Sequence, residues 1–266
     1  MLAACGSPSI GGEITLIDLQ NNSQTVSLAQ LAKDIKPITG EGGFMKSTGT
    51  IVGPRQYEGI PVLPLLDRIG GLSEGEALEI TAEDGYVMVY GHRQVKGLLM
   101  TYSSESKPLG IGQLTMLLAY KEDGESDFEG SPRIVFVGKD GPFSDGHFWV
   151  KDITQLRIIP GVAEWEIVLK GLETTVIDRA AFQSAAACQK SGHAAITYEY
   201  AGADGATHTY EGVPLWVLVA TVDGGDKPEG HFEYNDDLAR QGYTVRVIGA
   251  NGQSVDLPSM DVMRNK

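Results

Sequence analysis

The chain has 266 residues, of which 42% are hydrophobic and 21% are charged, and this composition is typical of a globular protein with one or two domains. Its formal net charge of −14 would repel the phosphate backbone of a nucleic acid, so DNA and RNA are not expected partners. The acidic balance itself is typical of a solubility feature. The longest apolar runs are shorter than the roughly 20 residues that a membrane-spanning helix needs.

The N-terminal segment carries one of the two cysteines, Cys5, which follows Leu2-Ala3-Ala4 and precedes Gly6-Ser7-Pro8-Ser9. This pattern resembles the lipobox of bacterial lipoproteins, in which the cysteine is acylated on its sulfur. The resemblance implies lipidation of Cys5, a flexible tether over residues 1–12, and an extracytoplasmic protein that meets the membrane only through its lipid anchor. Most of the signal peptide would then precede Met1. A cytosolic protein with a small-residue start is the alternative.

Short strands and short helices alternate along the next part of the chain. Strands are predicted at residues 14–19 and 87–90 from their β-branched and aromatic content. Ser27 offers an N-cap for a helix, and Pro61 begins an apolar helical segment over residues 61–69 that two glycines end. The dipeptide Asp84-Gly85 predicts a tight turn between strands. Together these elements favour a mixed α+β domain.

The sequence contains an internal repeat. Three segments recur in order, the first two after 153 residues and the third after 157: residues 13–16 as 166–169, residues 57–62 as 210–215, and residues 85–89 as 242–246. The second copy also repeats the helices, at residues 182–188 and 214–222, and a turn at Asn251-Gly252. The repeat predicts two tandem domains, residues 13–160 and 161–266. The second copy lacks the last part of the first, and we expect a continuation beyond Lys266.

Five stretches of the first copy follow one another in an order that is similar to the sulfite-oxidase-type molybdopterin-binding domain. They are Tyr57-Glu58-Gly59-Ile60-Pro61-Val62 with Leu65-Leu66, Asp84-Gly85-Tyr86, and residues 117–125, 132–138 and 149–153. The second copy retains the first two, with Trp216 after Pro214-Leu215. The resemblance implies an α+β fold class, with two tandem mixed α/β domains of this type. It also implies that loops at one rim hold molybdopterin or a related pterin.

The metal ligand of that family is absent from both copies. The resemblance implies a cysteine thiolate that binds molybdenum from a loop just before the Tyr-Glu-Gly-like segment. The corresponding stretches are residues 44–52 and 194–200, and neither contains cysteine. A serine hydroxyl does not replace a soft thiolate, so oxygen-atom transfer of the sulfite-oxidase kind is not expected. Ser47 as a hard-oxygen ligand is the less favoured alternative, and the identity of any metal stays open.

Six basic or imidazole groups in two loops of the first copy are the predicted cofactor-binding residues: His92, Arg93, Lys96, Lys139, His147 and Lys151. The glycine-rich turn over residues 138–147 can present backbone amides to a phosphate, and an arginine can grip a phosphate or carboxylate with two hydrogen bonds. The expected partner is a pterin or another anionic small molecule. Solvated surface charge is the alternative, and Arg133 fits a structural role as readily as a functional one.

The remaining cysteines, histidines and tryptophans do not indicate a metal site or a catalytic site. Cys188 is predicted to be a buried apolar residue at the end of a helix, and two cysteines are too few for a disulfide framework or a thiolate zinc site. His193, His208 and His231 lack metal-ligand spacing. Trp149 and Trp165 are expected in the core. No nucleophile-elbow or phosphate-loop motif is present, which disfavours a hydrolase or nucleotidase.

Three functions are compatible with the sequence. The first is an extracytoplasmic pterin-binding or molybdopterin-binding protein without sulfite-oxidase-type catalysis. The second is an active molybdenum-pterin or tungsten-pterin oxidoreductase whose metal has no protein thiolate. The third is a cell-surface binding module that reuses the scaffold without a cofactor, since a fold does not dictate a function.

Overall fold

The computed structural model describes residues 11–46, 49–139, 143–186, 195–203, 205–225 and 233–263. Several sequence predictions fall outside these ranges, namely those for Cys5, Ser47, Cys188, His193 and His231. The chain divides into two compact units, Met1–Glu164 and Trp165–Lys266, called here the first unit and the second unit. Both mix strands with short helices, so the α+β class is correct. No helix in the described ranges is long and apolar enough to cross a bilayer.

Within the described residues, the first unit contains twelve strands and three short helices. The strands are β1 (Glu13–Ile17), β2 (Ser23–Ser27), β3 (Ile38–Met45), β4 (Ile51–Pro61), β5 (Glu76–Ala82), β6 (Val87–Gly91), β7 (Leu98–Tyr102), β8 (Pro108–Gln113), β9 (Thr115–Glu122), β10 (Arg133–Val137), β11 (Phe143–Asp145) and β12 (Ile153–Pro160). The helices are α1 (Leu28–Asp34), α2 (Val62–Leu66) and α3 (His92–Val95), and 3-10 turns lie at Asp67–Ile69 and Gly146–Phe148.

Two sheets organise the first unit. One has the strand order β2-β1-β12-β5-β6, and the other has the order β10-β9-β4-β3-β11-β7-β8. Strand β12, the last of the unit, lies between β1 and β5, parallel to the first and antiparallel to the second. Both sheets contribute fully buried side chains, including Leu16 and Ile80 from the five-stranded sheet and Leu117 and Phe136 from the seven-stranded one. Burial of such side chains is the main stabilising term of the unit.

The local signals read from the sequence act as expected in the first unit. The Ser27 hydroxyl accepts a hydrogen bond from the Gln30 backbone N–H at 3.2 Å, so the predicted N-cap of α1 is confirmed. The predicted helix over residues 61–69 is realised as α2 and the 3-10 turn after it. It ends at Gly70, whose φ of 102° is left-handed, a conformation that glycine adopts without strain.

The described part of the second unit contains six strands in three separate hairpins, together with four helices. The hairpins are β13 (Glu166–Lys170) with β14 (Thr174–Asp178), β15 (Ile196–Ala201) with β16 (Thr207–Gly212), and β17 (Thr244–Ile248) with β18 (Ser254–Pro258). The helices are α4 (Arg179–Ala186), α5 (Leu215–Ala220), α6 (Asp236–Gln241) and α7 (Ser259–Val262).

The first two hairpins of the second unit repeat the strand register of the first unit: all five pairs of β1–β2 recur in β13–β14, and the pairs from Ile38–Gly59 to Gly42–Arg55 recur in β15–β16. Asp178 caps α4 as Ser27 caps α1, accepting a hydrogen bond from the backbone N–H three residues later. In the next hairpin, Tyr57 pairs with Gly40 in the first unit, and Tyr210 pairs with Tyr198 in the second. A proline at the N-cap then begins α2 and α5 alike. The two tyrosines therefore occupy equivalent positions.

The third predicted repeat, which matched residues 85–89 with residues 242–246, has the wrong register. The β5–β6 turn is closed by the Tyr86 N–H, which donates to the Asp84 carboxylate, and the β17–β18 turn is closed by the Gln253 N–H, which donates to the Asn251 side chain. Tyr86 therefore corresponds to Gln253 and not to Tyr243. The error arises because α6, which has no counterpart between α2 and β5, adds residues before β17. With this register, α7 is the counterpart of α3.

The core of the second unit is small. Ala220, Tyr234 and Ala239 form a buried cluster against which Trp216, Val219, Tyr243 and Met263 pack. The Tyr234 and Tyr243 hydroxyls lie 2.9 Å apart. The core prediction for the tryptophans is right for Trp149, which is buried, and wrong for Trp165, which is 41% exposed and packs edge-on to Phe182.

Candidate functional site

Two of the six predicted binding residues, His92 and Arg93, lie on α3, which follows β6 directly, and a third, Lys96, is the residue after this helix. The Gly91 backbone N–H donates to Gln94 Oε1 at 2.7 Å and fixes the start of this single turn of helix. His92 is half-buried, whereas Arg93 and Lys96 are exposed. Because Arg93 and Lys96 are three residues apart, they lie on the same face of the turn.

A cavity of about 230 Å³ opens beside the end of α3. Its walls are mostly apolar, and Lys96, Gln113 and Thr115 are its polar members; the full lining is Pro61, Val62, Leu63, Pro64, Val95, Lys96, Gln113, Leu114, Thr115 and Met116. The end of the repeated Tyr-Glu-Gly segment therefore forms one wall. Apolar walls with a few polar groups are typical of small-molecule sites, and the volume is below the roughly 300–1,000 Å³ of pockets for drug-sized ligands, so the cavity admits only a smaller molecule.

The close approach of two backbone segments shapes this cavity. Gly97, with a φ of 77°, follows Lys96, and its carbonyl accepts a hydrogen bond from the Leu114 N–H at 2.9 Å. A Cβ atom on Gly97 would lie 1.8 Å from the Leu114 carbonyl oxygen, so only glycine fits there. Lys96 is thereby held against the start of β9.

The glycine-rich turn lies beside the stretch that corresponds to the metal-binding loop. Strand β11 pairs in parallel with β3, so that Phe143 lies opposite Gly43 and Asp145 lies opposite Met45. His147 follows in the 3-10 turn, half-buried, with its ring 4.0 Å from that of Phe148. Residues 140–142 and 47–48 lie outside the described ranges.

The remaining predicted cations are spread over other surfaces of the first unit. Lys139 is exposed and follows Gly138, whose N–H donates to the Glu41 carbonyl at 3.1 Å. Lys151 forms an ion pair with Glu129 at 2.8 Å, and this hydrogen bond lowers the pKa of the Glu129 carboxyl. The six predicted residues therefore do not all meet at one point, and Lys96 is the one that borders the cavity.

Arg133 belongs to a buried polar cluster that the sequence did not reveal. Its side chain is 7% exposed, lies over the Trp149 ring at 5.7 Å, and places Nη1 4.0 Å from Glu122 Oε2. Burial lowers the pKa of Arg133, which the Tyr57 and Glu122 charges oppose. Burial also raises the pKa of Tyr57, and the Glu122 carboxylate raises it further. Arg133 therefore stabilises the core beneath the Tyr-Glu-Gly segment.

A metal centre finds little support in the described ranges. They contain no group of three or more histidine, cysteine, aspartate or glutamate side chains arranged to hold a metal ion. The described part of residues 44–52 offers an exposed Lys46 and no cysteine thiol. These residues do not fit a thiolate-bound molybdenum.

The cations at α3 have no counterparts in the described part of the second unit. In the register set by the β17–β18 hairpin, Ser259 and Met260 of α7, and Met263 directly after it, stand where the first unit has His92, Arg93 and Lys96. Met263 packs against the small core of the second unit. Among the described residues, the candidate site therefore occurs in the first unit and not in its repeat.

Comparison with known proteins gave no match, either among protein-family models or among curated proteins.

Proposed function

We propose that the first unit binds a small organic anion in the cavity beside Lys96, and that the chain is an extracytoplasmic binding protein without sulfite-oxidase-type catalysis. The observation that carries the proposal is the meeting of a predicted cation with an apolar cavity. A flat or aliphatic ligand would bury its apolar part against Val62, Leu114 and Met116 and place its acid group at the Lys96 ammonium. The Arg93 guanidinium, on the same face of α3, adds positive charge.

The scaffold of this binding site is proposed to be of the sulfite-oxidase type. The proposal is supported by the parallel pairing of β11 with β3, which places Ser144 and Asp145, in the described part of the glycine-rich turn, opposite Phe44 and Met45. The resemblance implies that loops at one rim hold the pterin. A pterin with an acid group is therefore the first ligand to test, while a thiolate-bound metal is not part of the proposal.

The test is a fluorescence titration of the purified full chain with pterin-6-carboxylate, together with elemental analysis of protein from a host that makes molybdopterin. We expect saturable binding that Lys96→Ala weakens by about tenfold or more, because a hydrogen bond to a charged group contributes roughly 1.5–3 kcal/mol. Lys36→Ala, which removes an exposed lysine on another surface, is the matched control and should leave the affinity unchanged.

Two results would overturn the proposal. One is the absence of saturable binding together with the absence of molybdenum, tungsten or a fluorescent pterin in the purified protein. The other is an equal effect of Lys96→Ala and Lys36→Ala, which would place any binding away from the cavity.

A further inference from the structure

The β7–β8 hairpin of the first unit presents an apolar face to solvent. Its other face is buried, with Leu99 3% exposed and Thr101 4% exposed. On the open face Met100 lies opposite Ile111, and these two side chains, called here the apolar pair, are 37% and 58% exposed. An antiparallel hairpin with one buried face usually carries polar side chains on the other. Hairpin formation alone therefore does not explain the apolar pair.

The open face of the hairpin continues into the cavity beside Lys96. Gln113, which lines the cavity, lies opposite Leu98, and these two residues are next to the apolar pair on the same face. Because two residues along a strand span about 7 Å, the apolar pair begins about 7 Å from Gln113. Leu109, at the bulge of β8, is 63% exposed and extends the apolar surface further.

Positive charge is concentrated at the cavity end of this face. Among residues 85–121 the one acidic residue is Glu105, although the whole chain has a net charge of −14. Glu105 lies in the turn that joins β7 to β8, at the far end of the hairpin, and Lys107 follows it there. Arg93 and Lys96 lie at the cavity end. An anionic group is therefore attracted to the cavity end, whereas the turn at the far end carries no net charge.

The edge of β8 is not shaped for pairing with another strand. Among the described strands, β8 lies at the end of the seven-stranded sheet. Its first residue, Pro108, has no backbone N–H, and Gly110 beside the bulge has a φ of 94°. Proline and bulges are features that oppose pairing at a sheet edge. A flexible apolar chain therefore fits this face better than a strand of a partner or of a second copy.

We propose that the anion bound beside Lys96 is an amphiphile with an unbranched alkyl chain, of the fatty-acid class. This inference rests on the proposed binding of an organic anion by the first unit and names its chemical class. The carboxylate meets the Lys96 ammonium, and the first carbons lie in the cavity. The remaining carbons run past Gln113 over Leu98 and the apolar pair toward Leu109. A short acid is held by the cavity alone, and a long acid also uses the open face.

Calorimetric titration of the full chain with hexanoate, decanoate and dodecanoate tests the dependence on chain length. Full burial of a methylene group tightens binding by about fourfold, and contact on one side gives about twofold. We expect dodecanoate to bind at least about tenfold more tightly than hexanoate, with decanoate between them. Lys96→Ala should weaken all three acids by about tenfold or more, because they share the carboxylate.

A double variant of the apolar pair separates the open face from the cavity. Met100→Ser combined with Ile111→Ser changes two exposed side chains, so the fold should be retained, which circular dichroism checks. Dodecanoate should bind about tenfold more weakly to it, and hexanoate should change by less than about twofold. Val87→Ser replaces a valine of β6 that is 45% exposed and lies outside the open face. This matched control should leave the affinity for both acids unchanged.

The possible outcomes distinguish this inference from the proposed function. Equal binding of hexanoate and dodecanoate, or unchanged dodecanoate binding by the double variant, overturns the alkyl-chain inference. The proposed function would still be supported if pterin-6-carboxylate bound saturably and depended on Lys96. Dodecanoate binding that responds to the double variant but not to Lys96→Ala overturns the inference as well, because the chain would then bind away from the cavity. A dimer that the double variant dissociates would show that a second copy covers the face instead.

Discussion

Arg133 shows how a charged residue in a strand can be part of the core. The sequence left its role open because position in a strand does not reveal what packs on a side chain. Its neighbours Tyr57, Glu122 and Trp149 come from three other parts of the chain and meet it only in the fold. The guanidinium then serves as a buried counter-charge, which explains why it does not face a ligand.

Replacing Arg133 should destabilise the first unit strongly. Arg133→Ala removes the contact with Trp149 and leaves the Glu122 carboxylate with one cation fewer, and we expect a loss of about 3 kcal/mol in the free energy of unfolding. Urea unfolding followed by tryptophan fluorescence measures it. The control is Arg55→Ala, because Arg55 contacts the same carboxylate but is half-exposed, and its loss should stay below about 1 kcal/mol. Equal losses would contradict a buried role for Arg133.

The candidate site could be predicted in part. The basic residues after Tyr86 were predicted to lie in a loop; His92 and Arg93 instead lie in α3, and Lys96, directly after it, borders a cavity. Sequence position could not show that Lys151 pairs with Glu129, since that contact depends on how the segment before β10 folds back. The cavity itself was also missed, because its apolar walls come from α2, α3 and the start of β9.

Helix caps and turns could be predicted from the sequence, whereas the order of the strands in the sheets could not. Ser27, Pro61 and the Asp84-Gly85 turn each act through neighbours a few residues away, so the sequence pattern suffices. The insertion of β12 between β1 and β5 joins strands from opposite ends of the first unit. No local pattern specifies such a pairing, because many apolar strands would satisfy the same alternation.

Strands β3 and β10 approach each other so closely that β3 needs glycine. A Cβ atom on Gly42 would lie 2.2 Å from the Phe136 carbonyl oxygen, and one on Gly40 would lie 2.8 Å from Val137. The counterparts in the second unit are Tyr200 and Tyr198, which are 50% and 62% exposed. A strand placed like β10 could not approach that hairpin as closely.

The close packing of β3 against β10 predicts that an added methyl group destabilises the first unit much more at Gly42 than at Gly75. Gly42→Ala should lower the free energy of unfolding of the first unit by about 2–3 kcal/mol, since the strands must separate to admit the methyl group. Gly75→Ala is the matched control, because a Cβ atom there meets nothing within 4 Å. Thermal unfolding by circular dichroism compares the two variants. A Gly42→Ala variant as stable as Gly75→Ala would show that β3 and β10 are less tightly packed than described.

The two units of the chain have similar hairpins but differ in how far the apolar side chains of these hairpins are buried. Ile14 and Leu16 of β1 are fully buried, whereas their counterparts Ile167 and Leu169 are only half-buried. The first unit covers these positions with strands that follow α3, and the described part of the second unit ends just after α7. Similar hairpins therefore have different stabilities, because burial and not hairpin formation supplies most of the free energy.

The difference in burial predicts that the two units unfold separately. The second unit should open at a lower urea concentration, with a free energy of opening at least about 3 kcal/mol below that of the first, because it buries fewer apolar side chains. Hydrogen exchange read by mass spectrometry would show the amides of β13, β15 and β17 exchanging before those of β5 and β12. Simultaneous exchange of both units would contradict separate unfolding.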